Sequence, residues 1–221
     1  MIILDNVGKA YRKKKRDITW IFRNIDATFD DQHNIGILGA AGSGKTTLID
    51  LLSGNDVPSE GQIHRLGRIS WPYNYRGNVV NKLTGKQNLR FLADIYGGNF
   101  SEILDFVCEF SEIGKMIDQP MKNYSGEMKN RLSVSALFAL RFDCLLIDDD
   151  INLGDGTFRK KAAQYLIDNA HRQRLIIASS DLQLIMRHCQ IGGVLHNGRL
   201  KMYPTVQAAV LAYNATSPLY A

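Results

Sequence analysis

The sequence predicts an α/β fold with a mainly parallel core sheet and an antiparallel β edge. Three observations carry this expectation. Short apolar runs alternate with amphipathic helical stretches along the 221 residues, the pattern of a parallel sheet covered by helices. A glycine-rich loop, "GAAGSGKT", stands between one apolar run and a helix. A second apolar run, "CLLIDDD", ends in three aspartates.

Composition narrows the class. Hydrophobic residues make up 45% of the chain, enough for one domain to bury a core. No apolar run approaches the roughly 20 residues that a bilayer-spanning helix needs. The start, "MIILDNVGKAYRKKK", places its basic residues after the apolar stretch, the reverse of a signal peptide. The chain is therefore expected to stay in the cytoplasm. Cys108, Cys144 and Cys189 are odd in number, widely spaced and set among apolar neighbours. All three are expected as buried free thiols, not as a disulfide framework or a zinc site. A net charge of +5 suits an acidic partner, whether nucleotide, nucleic acid or an anionic membrane face, without choosing among them.

The elements follow in order. "MIILDNVGKAY" and "WIFRNIDATF" read as two strands of a hairpin-like edge, with the basic run Arg12 to Arg16 as a solvated turn between them. "NIGIL" is a short buried strand, and "TTLIDLLS" is a helix ended by Gly54. Between them, "GAAGSGKT" matches G-x-x-x-x-G-K-[ST], a P-loop. Gly39, Gly42 and Gly44 let the backbone turn tightly, so that successive N–H groups face inward as an anion nest at a helix N-terminus. Lys45 reaches the β and γ phosphates, and the Thr46 hydroxyl ligates Mg²⁺. Ser43 and Thr47 complete the set expected to bind ATP.

Thr84 and Gln87 are spaced as a capping box. The helix they open carries Leu89, Phe91, Leu92 and Ile95 and ends at Gly97. Tyr124, Ser125, Gly126, Glu127 and Met128 open another helix, with Leu132, Leu137, Phe138 and Leu140 on its faces. That helix feeds the strand Cys144 to Ile147, and Asp148 is the first polar residue at the strand's end. "RLIIASSDLQLI" supplies a further strand, and the tail reads as a strand, one helix and a short end.

A P-loop, a Ser125-Gly126 helix start and an aspartate-ended strand in this order resemble the ATP-binding-cassette (ABC) ATPases. Within that family the chain is most similar to the small ATPase subunits of capsular-polysaccharide exporters. The phrases "ISWP", "LTGKQNLRFLADIYG", "VCEFSEIGKMIDQPMKNYS" and "FDCLLIDDD" carry the similarity over nearly the whole chain. The resemblance implies a single ABC ATPase domain over 1–221, with a helical subdomain at about 84–141 inserted in the P-loop core. It implies two copies packed head to tail, with each ATP between the P-loop of one and the Ser125 helix of the other. An integral-membrane permease is the expected partner and nucleic acid is not. The expected place is the cytoplasmic face of the inner membrane. An added C-terminal carbohydrate-binding domain, as in some O-antigen exporters, is not expected here.

The same resemblance distributes roles. Asp148 holds Mg²⁺ through water, and Asp149 takes the slot of the glutamate that polarises the attacking water. "NLGD" supports this frame, because Gly154-Asp155 resembles the D-loop that follows that glutamate. Asp150 is expected to be a loop acid, able to substitute if the backbone shifts. Ser180 stands where exporter relatives carry a γ-phosphate-contacting histidine, so Lys45, Asp149 and Ser180 form the expected catalytic set. Ser125, Gly126 and Glu127 face the nucleotide across the dimer, and Tyr11 stacks on the base. Glu127 replaces a glycine and brings a negative charge near a triphosphate unless it turns outward. Tyr73, Asn74 and Asn78 all remain candidates for the Q-loop role. His171 and His188 are expected on the surface or in packing. Asp149 has one methylene less reach than glutamate, so slow hydrolysis is expected. The alternatives are a nucleotide-gated clamp or regulatory subunit that scarcely turns over, and a small-molecule P-loop kinase, which would not need the Ser125 helix.

Overall fold

The computed structural model describes residues 1–14, 17–73, 79–149, 153–170 and 172–216. The chain forms two compact units: Met1–Tyr73, Asp143–Ile151 and Arg174–Ala221 make the first, Asn74–Phe142 and Asn152–Gln173 the second.

The first unit opens with β1 (Ile2–Lys14) and β2 (Asp17–Phe29), paired antiparallel, with β4 (Glu60–Arg65) antiparallel on the other side of β1. The basic run is not a solvated turn throughout. Arg12 pairs with Ile18 and Lys14 with Asp17, so the ladder continues through residues expected to repel one another. Backbone pairing continues across a register shift between Arg12 and Lys14, and the cross-strand partners, Ile18 and Asp17, are not like charges.

A six-stranded sheet follows the order β5-β6-β7-β3-β8-β9. Its strands are β3 (Ile35–Leu38), β5 (Ile69–Tyr73), β6 (Cys144–Asp148), β7 (Arg174–Ser179), β8 (Ile191–His196) and β9 (Arg199–Tyr203). All neighbours are parallel except β8 and β9. β3 is apolar and buried at every position, as a strand covered on both faces must be. Helix α1 (Lys45–Ser53) inserts Leu48, Ile49, Leu51 and Leu52 into a core shared with Phe22, Phe29, Ile37, Leu146 and Ile176. Helices α6 (Leu182–His188) and α7 (Val206–Thr216) belong to the same unit. Because β3, β6 and β7 run parallel and adjacent, their carboxyl ends lie side by side, where open α/β sheets bind ligands.

The second unit contains α2 (Gly85–Tyr96), α3 (Phe100–Ser111), α4 (Gly126–Ala139) and α5 (Gly156–Asp168). Thr84 and Gln87 close the expected capping box, and Gly97 ends α2. Only part of its apolar stripe packs. Leu89 and Leu92 are buried, whereas Phe91 and Ile95 are exposed, because the packed face of α2 is narrower than its apolar sequence. Aromatic rings fill the core. Phe138 stacks on Tyr165 at 4.5 Å between centroids, and Phe110 meets Phe138, Phe158 and Tyr165 edge-on. Cys144 and Cys189 are buried, their thiols pushed up to about 12 by desolvation, but Cys108 is exposed on α3. The helical turn that buries Val107 leaves the next residue outside.

Candidate active site

The loop after β3 turns because of two glycines. Gly42 has φ +78° and Gly44 φ +104°, a region that side-chain-bearing residues rarely adopt. At Gly44 a Cβ would also lie 2.5 Å from Ile21. Helix α1 begins directly at Lys45, so its unpaired N–H groups open into the loop. Gly39 is buried, and Ser43 is half-buried with its hydroxyl sealed in and lacking a hydrogen-bond partner among the described residues.

Lys45 is buried although charged. Its Nζ donates to the carbonyls of Gly39 at 2.9 Å and Ala40 at 3.2 Å, and lies 3.8 Å from Asp149 Oδ1. The ammonium is thus fixed by the loop that it serves, and two carbonyls engage two of its three protons.

Asp148 ends β6, and its Oδ1 is buried without a hydrogen-bond partner among the described residues. Burial pushes its carboxyl above the usual range, opposed by a hydrogen bond from the Thr46 side chain. Asp149 and Asp50 push in the same direction as burial, and Lys45 against it. An orphaned carboxylate oxygen beside a hydroxyl, both oxygen donors, is a donor set that fits Mg²⁺.

Asp149 follows at φ +64°, with an exposed side chain. Its N–H donates to Ala178 O at 2.8 Å, and its carbonyl accepts from Ser179 Oγ, also at 2.8 Å. Ser180, the expected catalytic hydroxyl, is exposed just beyond β7. Tyr11 is exposed on β1; its hydroxyl donates to Asp56 Oδ2 at 2.8 Å, and Lys9 Nζ holds Asp56 Oδ1 at 2.6 Å. Thr47 lies in the first turn of α1. Gly39, Gly42, Ser43, Gly44, Lys45, Thr46, Thr47, Asp148, Asp149 and Ser180 all lie in the first unit, at or just after the carboxyl ends of β3, β6 and β7, and Tyr11 lies in the same unit on β1 of the three-stranded sheet.

Ser125, Gly126 and Glu127 lie in the second unit. Ser125 caps α4, its Oγ accepting from Met128 N at 3.2 Å. Glu127 does not stand free: Arg131 Nε donates to its Oε1 at 2.8 Å. A cavity of about 220 Å³ beside them is lined by Gly126, Glu127, Asn130, Gly154 and Asp155. Of the Q-loop candidates, Tyr73 is buried at the end of β5, and Asn74 and Asn78 lie outside the described residues, as do Asp150 and His171. His188 ends α6, half-buried.

Sequence reasoning passed over Ser179, Asp56 and Arg131. Arg131 had a signal, its i,i+4 spacing from Glu127. The other two had none, because the contacts that tie them to the site, with Asp149 and with Lys9 and Tyr11, are remote in the chain.

The family model for "ABC transporter" matches residues 22–152. The chain belongs to the ABC transporter family. Three relatives align over almost their whole length and that of this ABC chain. The polysialic acid transport ATP-binding protein KpsT of Escherichia coli is 34% identical, covering 96% of this chain and 98% of KpsT. The capsule polysaccharide export ATP-binding protein CtrD of Neisseria meningitidis serogroup B is 35% identical, with 97% and 99% covered. The ATP-binding protein BexA of Haemophilus influenzae is 36% identical, with 98% and 99% covered. The ABC fold is shared with the ATP-binding cassette MJ0796, solved as a dimer in a post-hydrolysis state bound to ADP and Pi. That likeness has a TM-score of 0.72 at 18% identity, covering 92% of this chain and 98% of MJ0796. An ATP-binding subunit of an ABC transporter superposes with a TM-score of 0.76 at 17% identity, with 96% and 99% covered.

Proposed function

We propose that this chain is the ATP-hydrolysing subunit of an ABC transporter that exports a capsular or related cell-surface polysaccharide across the inner membrane. The observation that carries the reading is the near-complete alignment with KpsT and CtrD, at 34% and 35% identity. No helix among the described residues is long and apolar enough to cross a membrane. In this reading a permease subunit supplies the path and this chain docks on its cytoplasmic face, in line with the transport and export named for KpsT and CtrD.

The proposed function gives each residue a task. Amides of the loop around Gly42 to Thr47 and the Lys45 ammonium bind the triphosphate of ATP. Thr46 and Asp148 would hold Mg²⁺, which when bound neutralises charge on the phosphate oxygens. Asp149 orients the attacking water and accepts its proton at the carboxylate. The exposed Ser180 hydroxyl hydrogen-bonds phosphate without adding charge. Tyr11 stacks on the base while Asp56 holds its hydroxyl. A second copy of the chain covers the γ-phosphate with the N-terminus of α4 at Ser125 and Gly126. Closure on ATP and reopening after hydrolysis drive the permease.

Phosphate release from the purified full-length chain is expected to exceed that of Lys45→Ala at saturating ATP. Release equal to that control would replace this reading with a nucleotide-gated clamp. Co-purification of the native complex should bring down a membrane-spanning chain whose deletion abolishes surface polysaccharide.

A further inference from the structure

We infer that Ser179 is a positioning residue that sets Asp149 for hydrolysis. The inference rests on the proposed role of Asp149 and concerns a residue that never touches ATP. Asp149 occupies the left-handed region at φ +64°, which costs a residue with a Cβ conformational energy, and so needs partners to hold it there. Both partners come from β7. The Ala178 carbonyl accepts the Asp149 N–H at 2.8 Å, and Ser179 Oγ donates to the Asp149 carbonyl at 2.8 Å. The first bond is a main-chain contact that any residue at 178 would provide. The second depends on a side chain.

Ser179 is 2% exposed, so its hydroxyl exchanges little with water and its proton has one destination. The same oxygen accepts from Asp181 N at 3.1 Å. It therefore ties the Asp149 backbone to the turn that carries Ser180 and to Asp181, whose carboxylate caps α6 by accepting from Gln183 N at 2.8 Å and Leu184 N at 3.2 Å. On the other side, Ser179 pairs with Leu38, the residue before Gly39. One buried hydroxyl thus fixes the relative placement of Asp149 and Ser180 at the end of the strand beside the P-loop. Loss of the hydroxyl frees Asp149 to leave the left-handed region, and its carboxylate moves relative to Lys45 and the phosphates. Lys45 and the loop amides are untouched, so nucleotide affinity stays while chemistry slows.

The test uses the full-length chain, steady-state phosphate release, a fluorescent ATP analogue for affinity, and circular dichroism for folding. Ser179→Ala is expected to lower kcat on the order of 10–100-fold, the scale of a misplacement of about 1 Å, with KM and analogue affinity changed less than about threefold. Ser179→Thr keeps the hydroxyl and should restore most of the rate, which also covers an Ala variant that folds poorly. In an Asp149→Asn background, single-turnover release should not fall further on adding Ser179→Ala. A wild-type kcat in Ser179→Ala, or an equal fold-loss in both backgrounds, would overturn the inference while leaving the role of Asp149 intact. A wild-type rate in Asp149→Asn would instead overturn the role of Asp149, and the inference with it.

Discussion

Arg131 Nε donates to Glu127 Oε1 at 2.8 Å, one turn along the helix that Ser125 caps. The Glu127 carboxylate is therefore paired within its own helix. The guanidinium also lies 3.6 Å from Glu112 and 3.9 Å from Asp155, and sits over the Phe158 ring. Arg131 serves three carboxylates, with Lys161 sharing Glu112 at 2.9 Å. Removing this one cation should matter more than removing Glu127.

Arg131→Met is accordingly expected to raise the KM for ATP by on the order of tenfold. That is the scale of an uncompensated like charge acting over ~10 Å at an effective dielectric constant of about 20. Adding Glu127→Gln should recover most of the loss, whereas Glu127→Gln alone should change KM little. Steady-state kinetics on the four chains of this cycle check it, and a lack of recovery would place the effect of Arg131 in packing.

The roles proposed for Asp149 and Ser180 give a second expectation. Asp149→Glu combined with Ser180→His should speed hydrolysis by roughly tenfold or more, since about 1 Å of reach is worth on the order of 10²-fold. An unchanged rate in a phosphate-release assay would make another step, such as dimer opening, limiting.

Asp148 carries a pH argument. Burial raises its folded-state pKa, so the charged form costs the fold stability. Its contribution is favourable at low pH and is lost as pH rises through that raised value. At neutral pH without Mg²⁺, Asp148→Asn should therefore raise the thermal midpoint by a few degrees, with the gap closing toward acidic pH. Mg²⁺ with ATP should raise the wild-type midpoint above that of the variant. Thermal unfolding across pH, with and without the metal, reads both effects.

Tyr11 separates ring from hydroxyl. Tyr11→Ala should weaken ATP binding by roughly 10–100-fold, the 1–3 kcal/mol of a base stack, and Tyr11→Phe by far less. Asp56→Ala should act on stability as well, by about 1–3 kcal/mol, because it removes the anionic partner of the buried Lys9 ammonium and leaves it the Val57 carbonyl. Equilibrium binding and denaturant unfolding distinguish the two losses.

Much of the site was legible before any fold was known. The P-loop, the Ser125 cap, the Thr84 capping box and the Gly54 and Gly97 stops are local patterns of residue type and spacing, and each formed where it was read. The apolar stripe of α2 was legible as apolar only. Its sequence could not say that Leu89 and Leu92 pack while Phe91 and Ile95 face outward, since that depends on which surface meets the helix. For the same reason Cys108 looked buried in sequence and is exposed.

By itself the sequence determined the family, through its motifs in order, and the glycine-rich loop and helix caps, because turns and caps act over a few residues; β4, α3, α5 and β8 were not read in it. Tertiary structure alone decided how Asp149 is held. Its partners Ala178 and Ser179 come from a strand about thirty positions away, brought alongside only because β6 and β7 are parallel neighbours in the sheet. A hydrogen bond needs proximity and direction, and sheet order supplies both where chain order supplies neither.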